Sequence, residues 1–140
     1  MNILLAVDGS PYTRRMLAYL VAHDEWLGAT HHYTVLTVVP PVPARAAAAI
    51  DRDTLKGYYD DSAEAVFKPI RTFFGKQKID AKYVAKVGHA AEVIAKLAAH
   101  KDVDLLIMGS HGHGSFGSLV LGSVSQKVMA ECRTPVLLIR

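Results

Sequence analysis

A chain of 140 residues is the size of one domain, taken here as residues 1–140, and 51% apolar with 21% charged residues excludes a disordered polar chain. A net charge of +3 without any run of Lys or Arg leaves no footprint for nucleic acid, and the single cysteine, Cys132, excludes an intrachain disulfide and argues against a cysteine-based metal site. Met1-Asn2 leads straight into an apolar run with no basic n-region, and no run reaches bilayer length, so the expected location is the cytoplasm, with no membrane partner.

Ile3 to Val7 is continuously apolar, as in a strand buried on both faces. Asp8-Gly9 ends it, Ser10 can cap a helix, and Pro11 suits the first helical position. Met16, Leu17, Leu20 and Val21 then share one helical face, with Trp26 and Leu27 closing the helix before Gly28. Tyr33 to Val39 is the second strand, stopped by Pro40, Pro41 and Pro43. The stretch from Pro40 to Ile50 has no clear assignment. Asp51 or Asp53 can cap the next helix, whose apolar positions run from Leu55 to Phe73; Pro69 inside it should kink it or end it early. Lys82 to Val87 is a third strand, Ala91 to Ala98 an amphipathic helix, Asp104 to Met108 a fourth strand, and Pro135 to Ile139 a fifth. Between the last two strands, Val124, Val128 and Met129 stand at helical spacing.

Strands that are apolar on both faces and alternate with helices predict an α/β fold: an open, Rossmann-like, five-stranded parallel sheet with helices on both faces. In such sheets ligands bind at the carboxyl ends of strands, where the winding direction reverses. Asp8, Val38 and Val39, and a glycine-rich stretch after the fourth strand all fall at such ends and can share one site.

That stretch holds half of the ten glycines: Gly109, Gly112, Gly114, Gly117 and Gly122. Ser110, Ser115, Ser118, Ser123 and Ser125 are interleaved with them at a strand–loop–helix junction. A helix start offers unpaired N–H groups and a partial positive charge, which suits phosphate. The spacing is not G-x-G-x-x-G, and Gly122 stands where a Walker A loop has lysine. The plainer alternative is a surface loop that binds nothing. Asp8 has two compatible roles: capping the turn, or accepting from ribose hydroxyls or a hydrated metal. His111 and His113 lack a third metal ligand and fit a loop beside phosphate, one of them hydrogen-bonding it. His31-His32 reads as surface, Cys132 as a small apolar packing residue, and Phe73-Phe74 and Tyr58-Tyr59 as core and rim. No nucleophile with base and orienter, and no carboxylate pair, marks a catalytic set.

These residues resemble the universal stress protein family over essentially the whole chain. The resemblance is carried by Ile3–Ser10, by Val87-Gly88-His89-Ala90 and by Thr134–Ile139. Most specific is Met108-Gly109-Ser110-His111-Gly112, then nine residues, then Gly122-Ser123-Val124, which fits the family pattern G-x2-G-x9-G-[S/T]. The resemblance implies a fold like the adenine-nucleotide alpha-hydrolases, and ATP with Mg²⁺ as ligand. Asp8 would lie at the sugar or phosphate side and the Val38 main chain at the adenine edge. Gly109, Gly112, Gly122, Ser123 and Ser125 would hold the phosphates, with Met108 and Val124 beside them in the motif. It also implies a homodimer through the last strand, which agrees with an apolar edge needing cover. The function so implied is a small ATP-binding stress-response or signalling protein. Two alternatives stay open: a slow Mg²⁺-dependent ATP hydrolase, and a protein-interaction module with a vestigial loop.

Overall fold

The computed structural model describes residues 1–28, 30–114 and 120–140. Gly117, Ser115 and Ser118 lie outside the described residues. The elements run β1 (Asn2–Ala6), α1 (Pro11–Ala22), β2 (His32–Val39), α2 (Ala44–Ala47), α3 (Arg52–Lys76), β3 (Ala81–Val87), α4 (Ala90–Ala98), β4 (Leu105–Gly109), α5 (Ser123–Glu131) and β5 (Val136–Ile139). The five strands form one parallel sheet in the order β3-β2-β1-β4-β5, with Leu5 level with Val35 on one side and Ile107 on the other.

Because side chains alternate along a strand, each apolar strand feeds two cores. Ile3, Leu5, Val35 and Ile107 pack with Met16 and Leu20 of α1 and Phe67, Ile70 and Phe74 of α3. Leu4, Leu36, Leu106 and Met108 pack with Ala91 and Ile94 of α4 and Val128 of α5. The helices therefore cover both faces, as the strand pattern requires.

Helix starts follow the sequence closely. The Ser10 hydroxyl accepts from the Tyr12 N–H at 3.2 Å with Pro11 in the first turn, and Asp51, rather than Asp53, caps α3 by accepting from the Thr54 N–H at 2.8 Å. Helix ends differ from expectation. α3 runs through Pro69 to Lys76. A proline in a helix interior costs about 3 kcal/mol, whereas burying Phe67, Ile70 and Phe74 returns about 1.5–3 kcal/mol for each side chain, so packing overrides the breaker. α1 stops at Ala22, short of Trp26 and Leu27, where His23 takes an extended backbone. Val21 and Met129, expected on apolar faces, are 45% and 46% exposed, and Tyr58 is 54% exposed while Tyr59 packs against the core. The unassigned Pro40–Ile50 stretch contains the short α2, and the Val42 N–H donates to the Tyr59 hydroxyl on α3 at 2.8 Å.

Trp26 and Gly28 are held instead by the tertiary structure. The buried Tyr33 hydroxyl donates to the Trp26 carbonyl at 2.8 Å and accepts from the Gly28 N–H at 2.8 Å. Burial pushes the Tyr33 phenol above its ordinary value, partly offset by that Gly28 N–H. A raised folded value means the stabilisation is complete below the free phenol's value of about 10 and is lost as pH rises through the folded value. Tyr33→Phe should cost about 1–3 kcal/mol in urea unfolding at pH 7. It should also flatten part of the stability loss above about pH 10, the remainder belonging in part to Tyr83, which burial raises in the same way.

Candidate functional site

The strand order reverses direction at β1 and β4, so the loops leaving their carboxyl ends turn to opposite faces and open a crevice between them. A cleft of about 570 Å³ occupies this position. Asp8, Val38, Met108, Gly109, Gly112, Gly122, Ser123, Val124 and Ser125 all line it. Residues far apart in the chain are thus brought together as the parallel-sheet argument expected.

Asp8 ends β1 by tying its own turn. Its Oδ1 accepts from the Ser10 N–H at 2.9 Å and from the Thr13 hydroxyl at 3.1 Å. The Asp8 N–H in turn donates to Thr13 Oγ1 at 3.2 Å. Among the described residues no hydrogen bond engages Oδ2, which faces Gly112: a Cβ there would stand 2.7 Å from it.

Val38 contributes open main chain. The Leu36 carbonyl faces β1, accepting from the Val7 N–H at 2.9 Å, and the Val39 carbonyl faces β3, accepting from the Gly88 N–H at 3.1 Å. Alternation therefore turns the Val38 N–H and C=O toward β1. There β1 has already ended, and the Val7 carbonyl is taken by the Thr37 hydroxyl at 2.9 Å. Among the described residues no group takes the Val38 N–H or C=O, which open onto the cleft.

The start of α5 supplies donors. Gly122 occupies the cap position without any side-chain cap, and the first helical bond is Gln126 N–H to the Gly122 carbonyl. The N–H groups of Ser123, Val124 and Ser125 have no acceptor among the described residues, as expected of a first turn. The Gly122 N–H, however, is already bound to the Ser110 carbonyl at 2.8 Å. The Ser125 hydroxyl is buried and faces the carbonyls of Ser110 at 2.9 Å and Gly109 at 3.1 Å, so its side chain fastens the loop to the helix.

The glycines are needed for close approach of the protein to itself. A Cβ on Gly109 would lie 2.7 Å from Tyr12 Cβ, and one on Gly122 would lie 3.1 Å from His111 Cα and 3.3 Å from the Ser110 carbonyl oxygen. Sequence patterning did not single out Thr13, or Ser62 and Val66 of α3 and Ala90 and Ile94 of α4, as cleft walls. Nothing in a helical repeat separates a cleft wall from a core face.

The model of the universal stress protein family matches residues 1–140. The chain belongs to this family. It is 38% identical over 139 residues to the universal stress protein in the QAH/OAS sulfhydrylase 3′ region of Thermus aquaticus, covering 99% of this chain and 98% of the relative. The solved structure of MJ0577 from Methanocaldococcus jannaschii superposes with a TM-score of 0.77 at 25% identity, covering 99% of this chain and 94% of that one. A universal stress protein from Archaeoglobus fulgidus, solved in complex with dAMP, shares the fold with a TM-score of 0.67 at 18% identity over 100% of this chain and 98% of that one. Two further members sharing the fold with TM-scores of 0.69 were solved with cAMP, at 18% identity, and, from Arabidopsis thaliana, with AMP, at 13%.

The glycine contacts separate positions that look alike in sequence. Gly109→Ala should lower stability by about 1–3 kcal/mol, because the methyl meets the Tyr12 side chain. Gly114→Ala, where nothing among the described residues stands within 4 Å, should change urea-unfolding stability by less than about 0.5 kcal/mol.

Proposed function

We propose that the cleft binds an adenine nucleotide, ATP together with Mg²⁺, and that the protein acts as a nucleotide-responsive stress or signalling module of the cytoplasm. The observation that carries this reading is the meeting of three complementary groups in one cleft: the open Val38 main chain, the unengaged Asp8 Oδ2 and the uncapped first turn of α5. Each suits a different part of the ligand. The Val38 C=O and N–H match the amino donor and ring acceptor on the adenine edge. Asp8 can accept from the ribose hydroxyls. The Ser123, Val124 and Ser125 N–H groups, at the positive end of the helix, suit phosphate oxygens. Gly112 leaves room beside the Asp8 carboxylate that any side chain would fill. Magnesium held by the phosphates and water would lower the ligand's negative charge beside Asp8. The dAMP, AMP and cAMP complexes of family members support an adenine base in this fold.

The same reading includes a two-fold pairing through β5. This strand is a sheet edge, and Val136, Leu137 and Leu138 are only half-buried, so a second copy would complete their cover. Light scattering at micromolar concentration should show a dimer; a monomer overturns the pairing.

With nucleotide-free protein, Mg-ATP at a hundred times its Kd should add about 2.7 kcal/mol, a rise of about 5–10 °C in Tm. A flat response to ATP, ADP and AMP overturns the assignment. Asp8→Asn keeps the Oδ1 acceptor that holds the turn but removes the carboxylate. It should weaken ATP binding about tenfold, the value of one charge-assisted hydrogen bond. An equal loss for adenosine places the contact at the sugar.

A further inference from the structure

The described residues lining the cleft include no lysine and no arginine. Their titratable side chains are Asp8, His111 and His113. Apart from the magnesium it carries, a polyphosphate entering this site therefore meets a carboxylate opposed only by main-chain dipoles, unless the histidines are charged.

Building on the nucleotide reading above, we propose that His111 and His113 are the phosphate-facing charge of the cleft, so that nucleoside di- and triphosphates bind with uptake of protons while the nucleoside alone does not. Both rings are fixed at the right end of the site. The His113 Nε2 lies 2.7 Å from the Asp8 carbonyl, and the His111 Nδ1 lies 2.9 Å from the Ser110 hydroxyl. His111 Cα is also 3.1 Å from the position a Cβ would take on Gly122, the residue that opens α5.

These hydrogen bonds survive titration. A carbonyl only accepts, so His113 Nε2 carries its proton in the neutral and the charged ring alike, and the added proton goes to Nδ1. The Ser110 hydroxyl can donate to a neutral His111 Nδ1 or accept from a protonated one. Protonation thus changes the charge of the site without moving these two contacts.

Among the described residues, several elements present groups to the two rings. The β1–α1 turn presents the Asp8 carboxylate. α1 presents the Tyr12 ring, its centroid 5.0 Å from that of His111, with the Arg15 guanidinium 4.8 Å from the Tyr12 centroid. The first turn of α5 holds no titratable side chain and presents the positive end of its dipole. The faces of β2, α3 and α4 that line the cleft are uncharged. A bound polyphosphate adds several negative charges to this balance and draws protons onto the imidazoles, in the range where histidine changes charge. Linkage limits the gain to tenfold in affinity per pH unit for each proton taken up.

Isothermal titration of the whole chain with Mg-ATP and with adenosine, from pH 8 to pH 6, tests this. ATP affinity should rise about tenfold and adenosine affinity should stay level. Because the terminal phosphate of ATP also titrates, the decisive quantity is the difference from the His111→Gln/His113→Gln double variant, which should lose most of the rise. His113→Arg should bind ATP more tightly than wild type at pH 8, with a shallower pH dependence. Titrating the wild type and the double variant in two buffers of different ionisation enthalpy near pH 7 should show net proton uptake that the double variant loses. Normal adenosine binding with no proton uptake, or an unchanged pH slope in the double variant, overturns the histidine assignment and leaves the nucleotide reading standing. Failure of both ligands to bind at every pH overturns the nucleotide reading and this inference with it.

Discussion

Asp8 holds the turn on which the cleft depends. One carboxylate oxygen gathers the Ser10 N–H and the Thr13 hydroxyl, which takes the chain out of β1 and into α1 within a few residues. β1 therefore pairs with β2 only as far as Ala6 and Leu36, while β2 continues to Val39. The missing stretch of β1 leaves the Val38 main chain without a partner on the β1 side, while β3 pairs with its other side. It also makes room for the loop from β4 to cross toward Asp8, where the His113 ring meets the Asp8 carbonyl. A longer β1 would satisfy Val38 and fill the crevice.

The second constraint is closeness of backbone to backbone. Gly109 lets the end of β4 lie against Tyr12, and Gly122 lets the start of α5 lie against His111 and the Ser110 carbonyl. The Gly122 N–H to Ser110 bond and the Ser125 hydroxyl then lock the loop's two ends together. Neither Gly109 nor Gly122 is required by a left-handed backbone; that need arises at Gly9, with φ +76°, in the turn that Asp8 closes.

Much of this was legible from local patterns. Continuous apolar runs separated by amphipathic helices imply a parallel sheet covered on both faces, because only such a sheet buries Ile3 and Leu4 alike. Ser10, Pro11 and Asp51 announce helix starts through hydrogen bonds a few residues long. Asp8, Val38 and the glycine stretch point to one place because each lies at or just beyond the carboxyl end of a strand, and in a parallel sheet all such ends lie on one side. Helix ends were less legible, since they answer to distant partners. α3 passes Pro69 because Ile70 and Phe74 are buried beyond it, and the Trp26–Gly28 turn is set by the hydroxyl of Tyr33.

The sequence by itself determined the class of fold, the approximate elements and the residues gathered at the strand ends, because these follow from periodicity, turn chemistry and the one-sidedness of parallel strand termini. Only the tertiary structure decided what those residues do for one another. It showed that the Gly122 N–H is spent on Ser110, that the Ser125 hydroxyl fastens the loop, and that α3 and α4 wall the cleft. Such roles depend on distances between segments that no local pattern encodes, and on which polar groups the surrounding backbone has already satisfied.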